Sequence, residues 1–279
     1  MRTPFQAFVE HKTAQAVSAD LHAFVTDLDL AAGTLPPIGN EWTRHFFDGA
    51  FYESPSPNAA RPSCSLVFVQ SLDGNTGASD PSAIGGGEID KHVIYEGLSQ
   101  VGADAVLVGA NTMRDADIVF GVWHPQLVRL RDALGKPRYP VQIVATLRGL
   151  DLEASLLFNV PDIEVLVLTS PDGAGLMRDG FASRPWVRPI VMPHPEGLPA
   201  AFETLRARGI ERVSAVGGRH LAAQLIDAGL VQDVYLTTSA RVGGETGTPM
   251  YPRALEARTL VSKHGAGPDA GVRFEHLQL

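Results

Sequence analysis

The chain has 279 residues, 44% of them hydrophobic and 19% charged, with 28 glycines and 20 prolines; this suits a core-forming, loop-bearing globular protein and excludes a coiled coil or a disordered chain. Its formal net charge of -8 comes with no block of lysines and arginines, so a sequence-independent grip on nucleic acid is not expected. A single cysteine, Cys64, leaves no disulfide framework and no multi-cysteine zinc site; it fits a reducing compartment and reads as a small hydrophobe on a strand.

The first ten residues lack a cationic stretch followed by an apolar one, and no later run approaches the roughly 18 apolar residues of a membrane span. A cytoplasmic protein with no membrane contact is the expectation. Between residues 1 and 30, Phe5, Phe8, Val9, Val17, Leu21, Phe24, Val25 and Leu28 recur at three- and four-residue steps, predicting one or two amphipathic helices. Leu35-Pro36-Pro37 breaks that pattern, and the proline- and serine-rich stretch from Ser54 to Pro62 is the most linker-like in the chain. The expected division is a helical extension and linker over 1–60 and a main domain over 61–279.

Beyond residue 60 short β-rich runs alternate with helical stretches, the pattern of an α/β fold with a largely parallel central sheet flanked by helices. Strands are predicted at Ser65–Gln70, Ala105–Val108, Val141–Thr146, Val165–Leu168 and Val187–Val191, with a helix over Asp90–Gln100. A tight strand-helix-strand unit follows, with a helix over Pro199–Arg208, a strand over Arg212–Val216, a helix over His220–Ala228 and a strand over Val234–Thr238. Arg258–Lys263 and Val272–Leu277 alternate around a Gly-Ala-Gly-Pro turn, predicting a C-terminal antiparallel hairpin that closes the sheet edge.

Three junctions carry chemistry. In Val213-Ser214-Ala215-Val216-Gly217-Gly218-Arg219-His220-Leu221 a buried strand runs through two glycines straight into a helix. Glycines let the backbone approach an anion, and the helix start offers free N–H groups and positive dipole character. A tight turn with no ligand has the same spacing. Ala105-Val106-Leu107-Val108-Gly109-Ala110-Asn111-Thr112-Met113 is a second junction of this kind, in which Thr112 is a phosphate ligand or a simple cap. If the two strands are neighbours, both junctions face one pyrophosphate. The third, Val69-Gln70-Ser71-Leu72-Asp73-Gly74-Asn75, ends a strand in an acid and a glycine, which is either a site at a strand end or an ordinary turn.

Taken together and in this order, Ser71-Leu72-Asp73-Gly74, Gly102 through Thr112, Gly217-Gly218 and Leu225 through Val231 resemble the reductase domain of the bifunctional riboflavin-biosynthesis deaminase-reductase, over roughly residues 62 to 279. The resemblance implies a dihydrofolate-reductase-like fold, a homodimer, and hydride transfer from NADPH to a heterocyclic small molecule such as 5-amino-6-(5-phosphoribosylamino)uracil. It implies that Gly109, Ala110, Asn111 and Thr112 bind the cofactor from one side and Gly217, Gly218, Arg219, His220 and Leu221 from the other. It further implies that Thr146, Leu147 and Arg148 lie at the adenosine end, with Arg148 facing the 2′-phosphate unless it is merely a surface arginine. Asp73 is the implied catalytic residue, with Ser71, Asn75 and Val216 on the substrate. Residues 84–90, with three glycines, are expected as a mobile loop over the substrate, unless they are only a flexible surface loop. By analogy with dihydrofolate reductases, the Gly217–Gly218 peptide is expected to be cis, against a cost of roughly 2.5–4 kcal/mol.

The chain departs from the family where Asn75 replaces a lysine, where Val216 replaces a glutamate, and after Thr112, where Arg114 stands near the family's ribose-phosphate arginine. The paired-cysteine zinc motif of the deaminase half does not occur, and the nine histidines show no metal-ligand spacing, so metal-free chemistry is expected. A reductase of dihydrofolate or pterin type and a catalytically silent NADPH-binding homologue are the alternatives.

Overall fold

The computed structural model describes residues 2–78, 84–113, 118–193 and 197–279. Ten strands follow one another along the chain: β1 Phe24–Asp29, β2 Ser63–Gln70, β3 Ala105–Gly109, β4 Val141–Thr146, β5 Val165–Thr169, β6 Val187–Val191, β7 Arg212–Val216, β8 Asp233–Thr238, β9 Arg258–Gly265 and β10 Arg273–Gln278. They form one sheet in the order β1-β9-β10-β8-β2-β7-β3-β4-β5-β6. From β8 to β6 every pair is parallel, and β10, β9 and β1 add to β8 in antiparallel sense.

The parallel strands are apolar because both faces are covered, and successive side chains go to opposite faces. Val106 and Val108 of β3 join one core cluster while Ala105 and Leu107 join the other. The helices in chain order are α1 Pro4–Ser18, α2 Glu41–Phe47, α3 over residues 87–101, α4 Ala110–Met113, α5 Pro125–Ala133, α6 Pro171–Leu176, α7 Arg178–Ser183, α8 Leu198–Ala207 and α9 Arg219–Asp227; α1, α3 and residues 118–130 cover the first cluster, and α8 and α9 the second. The unit β7-α9-β8 straddles β2, which pairs with β7 on one side and β8 on the other.

Helix α1 lies within the stretch expected to be helical, and it starts with Pro4 in its first turn and a Thr3/Gln6 capping box. The helical expectation for residues 21–28 is corrected: Phe24–Asp29 is a strand paired with β9. Six residues with apolar positions at mixed spacing fit either period, and pairing with a segment more than two hundred residues later decides between them. Phe24 then packs edge-on to Phe47, 6.1 Å between ring centroids. The β9-β10 hairpin exists, but β1 lies outside it and forms the sheet edge.

The expected mobile loop over residues 84–90 is also corrected. Ile84, Ile89 and Asp90 are buried, and a helix begins at Gly87. A Cβ on Gly86 would stand 2.5 Å from Thr237 Cγ2 and 2.7 Å from Asp90 Cβ, and Gly87 takes a φ of +82°, so these glycines serve close approach and a left-handed turn. From Asp90 the run is π-helical up to a kink at Glu96 and Gly97, which leave helical geometry.

Candidate active site

The ends of β4, β3, β7, β2 and β8 lie side by side along one rim of the sheet, the position where open α/β sheets bind ligands. Strands β3 and β7 are direct neighbours, so the two strand-glycine-helix junctions face each other. A Cβ built on Gly218 would lie 3.8 Å from Gly109 Cα, whereas one built on Gly109 or Gly217 meets nothing within 4 Å. Gly109 and Gly217 therefore leave open space at the two strand ends.

Gly217 and Gly218 take φ of +84° and +88°, and no peptide bond among the described residues is cis. The expected cis peptide is thus corrected: two successive left-handed glycines make the turn with a trans bond. In α9 the Ala222 N–H donates to the Gly218 carbonyl at 2.9 Å, and no side chain caps the helix. The amides that precede Ala222, those of Arg219, His220 and Leu221, are left at the crevice. Leu221 turns its side chain into the core, Arg219 is half-buried and His220 exposed. Across from them Ala110 is buried, Thr112 half-buried and Asn111 exposed; Arg114 lies outside the described residues.

Next to β3, the Thr146 hydroxyl donates to the Gly149 carbonyl at 3.1 Å, and the Leu147 carbonyl accepts from the Ser170 hydroxyl at 2.6 Å. The turn that carries Arg148 is held from both sides. Arg148 is exposed and forms no ion pair with a described residue.

The other end of the rim is built from side chains. Ser71 donates its hydroxyl to Asp73 Oδ1 (2.7 Å), and the Gly243 N–H donates to the same oxygen (3.1 Å). Those two hydrogen bonds, the Ser71 one foremost, hold the Asp73 carboxyl below the ordinary range, so it is a carboxylate at neutral pH. Asn75 Nδ2 donates to Asp73 Oδ2 (2.9 Å) and to the Gly243 carbonyl (3.1 Å), while its Oδ1 accepts from the N–H groups of Gly247 (3.1 Å) and Thr248 (3.3 Å). Both ends of the amide are thereby engaged in pinning residues 243–248. Val216 is completely buried in the core and offers no accessible surface.

Sequence reasoning missed Asp90. It is 8% exposed, packed against Gly86, and close to Thr237 at the end of β8, which pairs with Val69 just before the Ser71–Asp73 turn. Burial pushes its carboxyl up to about 6, and the neighbouring Thr237 hydroxyl offsets only part of that rise. Thr237 Oγ1 is itself buried without a well-formed hydrogen bond among the described residues. The available signal was an acid set between Ile89 and the apolar pair Val93 and Ile94, on a helix whose neighbours are core residues. The two acids are thus shifted in opposite directions, and only below about pH 6 does Asp90 hold a proton while Asp73 is ionised.

Among the described residues no three His, Cys, Asp or Glu side chains gather to hold a metal ion, and no helix is long and apolar enough to cross a membrane.

The fold is shared with solved structures at low identity. A pyrimidine reductase-like protein from Corynebacterium diphtheriae is 22% identical, with a TM-score of 0.59 over 78% of this chain and 91% of that one. A RibD from Acinetobacter baumannii is 18% identical with a TM-score of 0.60, and a deaminase/5-amino-6-(5-phosphoribosylamino)uracil reductase from Thermotoga maritima is 19% identical with a TM-score of 0.55. This chain covers 58% and 56% of those two longer chains. No curated protein matches the sequence. The model of the RibD C-terminal domain matches residues 62–265, which takes in β2 through β9 and every junction described above, and the chain belongs to that family.

Proposed function

We propose that this protein is an NADPH-dependent reductase of a small heterocyclic substrate, most like the pyrimidine reductase of riboflavin biosynthesis. The observation that carries the reading is the pair of facing glycine junctions at adjacent strand ends, open where side chains would otherwise stand. Those junctions fit a pyrophosphate: the backbone can come close, and uncapped amides at the start of α9 supply donors. In this reading Gly109 through Thr112 and Gly217 through Leu221 hold the pyrophosphate, and the 146–148 turn receives the adenosine end with Arg148 on its 2′-phosphate.

When bound, the cofactor supplies the hydride. The chain's own residues do the rest. Asp73, kept ionised by Ser71 and Gly243, orients donor groups of the substrate at the rim together with Ser71 and Asn75. Asp90, kept protonated into the mildly acidic range by burial, releases a proton to the reduced nitrogen or oxygen, with Thr237 Oγ1 beside it as a second polar contact.

A dihydropterin-type substrate is the second reading. It is favoured by the full engagement of Asn75, which stands where the family's lysine would be and has no donor left for a phosphate. Binding of NADPH and NADH, followed by loss of reduced-nicotinamide absorbance with aminouracil phosphates, dihydropterins and simple imines, tests both readings. Oxidation with one heterocycle supports the proposal and names the substrate; binding without turnover of any indicates a silent binder. The same reading carries a cytoplasmic homodimer, which sedimentation analysis of the full chain would show.

A further inference from the structure

Away from the crevice, a polar cluster is buried beneath the N-terminal helix. Lys12 of α1 forms an ion pair with Glu96 of α3, with side-chain exposures of only 16% and 10%. His92, 1% exposed, places Nε2 3.2 Å from Glu88 and Nδ1 3.6 Å from Glu96, yet neither nitrogen makes a hydrogen bond. Desolvation holds the His92 imidazole below its ordinary range; the charged or titratable groups facing it are Glu96, Lys91, Glu88 and Lys12, with His124 beyond.

The cluster sits on the helix that carries Asp90. Glu96 (φ −93°, ψ 24°) and Gly97 (φ −141°, ψ −116°) are where the π-helical stretch leaves helical geometry, six residues after the turn that begins at Asp90. Gly97 permits this because a Cβ there would stand 2.9 Å from the His92 carbonyl. Tyr95, between the two, feels the charges of both Glu96 and Asp90. Such π-helical turns are metastable and need tertiary support. Within the family match, Ser99 Oγ donates to the Ile94 carbonyl at 2.7 Å and Gln100 Nε2 to the Tyr95 carbonyl at 2.6 Å; the Lys12–Glu96 ion pair adds support from outside the match, which starts at residue 62.

We propose that the N-terminal helix is a positioning element for the substrate end of the crevice, with Lys12, through Glu96, fixing the π-helical turn that sets Asp90 beside Thr237. The proposal rests on the role assigned above to Asp90. Helix α1 is otherwise docked by apolar contacts: Phe5 lies edge-on to Tyr139 at 5.3 Å, Phe8 edge-on to Trp123 at 5.4 Å, and Ala16 is buried. Removing the Lys12 charge therefore leaves the helix in place and strands Glu96 as a buried, unpaired carboxylate, which the π-helical turn must move to solvate.

The test compares the full-length native chain with Lys12→Met and Lys12→Arg by hydrogen-deuterium exchange, NADPH affinity and turnover. In Lys12→Met, amides over residues 87–101 should exchange about tenfold faster while those over 105–109 and 212–227 keep their native rates. NADPH affinity should stay unchanged, kcat on the substrate found active should fall about tenfold, and the alkaline limb of its pH profile should move. Lys12→Arg should restore all three. If Lys12→Met folds poorly, Glu96→Gln serves as a second probe: it breaks the ion pair but leaves no buried carboxylate, so amides over residues 87–101 should exchange faster than in the native chain by a smaller factor than in Lys12→Met, with NADPH affinity again unchanged; unchanged exchange would overturn the proposal. Exchange that is unchanged, or raised uniformly across the sheet, would overturn the proposal, as would an equal loss of NADPH affinity. If the native chain turned over no substrate, the functional reading would fail, while the exchange pattern would still decide whether Lys12 holds the π-helical turn.

Discussion

Along one rim of the sheet, the ends of β7, β3 and β4 meet the crevice with glycines, uncapped amides and a pinned turn, whereas the ends of β2 and β8 meet it with two acids whose carboxyls are shifted in opposite directions. The first end is made mainly of backbone, so its shape follows from a few local residues. The second is made of side chains whose states depend on distant segments: residues 243–248 for Asp73 and Asn75, Gly86 and Thr237 for Asp90. A crevice built this way can keep its cofactor end while its substrate end changes; the departure at Asn75 falls on the substrate end, whereas Val216, at the end of β7, is buried in the core.

The largest expected effect separates the two ends. Asp90→Asn should lower turnover about a hundredfold while leaving NADPH affinity unchanged, since only the proton source is lost. In the native chain kcat/KM should fall as pH rises through about 6, where Asp90 loses its proton. The stability contribution of Asp90 follows the same pH direction. The folded state favours protonated Asp90, so its contribution is present at low pH and lost as pH rises through that value. Asp90→Asn should then be more stable than the native chain at pH 8, by at most about 3 kcal/mol, and no more stable at pH 4. Thermal melts at the two pH values check this.

A smaller effect belongs to the cofactor end. Arg148→Ala should weaken NADPH about tenfold and leave NADH unchanged, as expected for an arginine that meets only the 2′-phosphate. Equal loss for both would make Arg148 a general surface charge. Smallest is Asn75→Ala, which should destabilise the fold by about 1–2 kcal/mol by releasing residues 243–248, and raise KM without changing NADPH affinity. Denaturant titration and steady-state kinetics would read the two parts.

Legibility in the sequence followed the same division. The strand-glycine-helix junctions at Gly109 and Gly217-Gly218 are local, and the alternation of strands and helices told that their strands belong to one parallel sheet. The trans geometry at Gly217–Gly218 was not legible, because two left-handed glycines and one cis peptide both satisfy a tight turn. Asp90 was hidden inside a stretch that reads as an ordinary helix; its burial depends on Gly86 meeting Thr237 far along the chain. Phe24–Asp29 could not declare itself a strand until β9 was present to pair with it.

The most direct test of the account is an NADPH titration of the native chain beside Gly109→Val. Gly109 has no left-handed φ, and a Cβ there touches nothing within 4 Å, so the variant should fold and place its side chain in the open space at the end of β3. Saturable binding by the native chain, weakened about a hundredfold in Gly109→Val with an unchanged melting temperature, is the predicted result. Equal NADPH binding by both chains, or none by the native one, would contradict it.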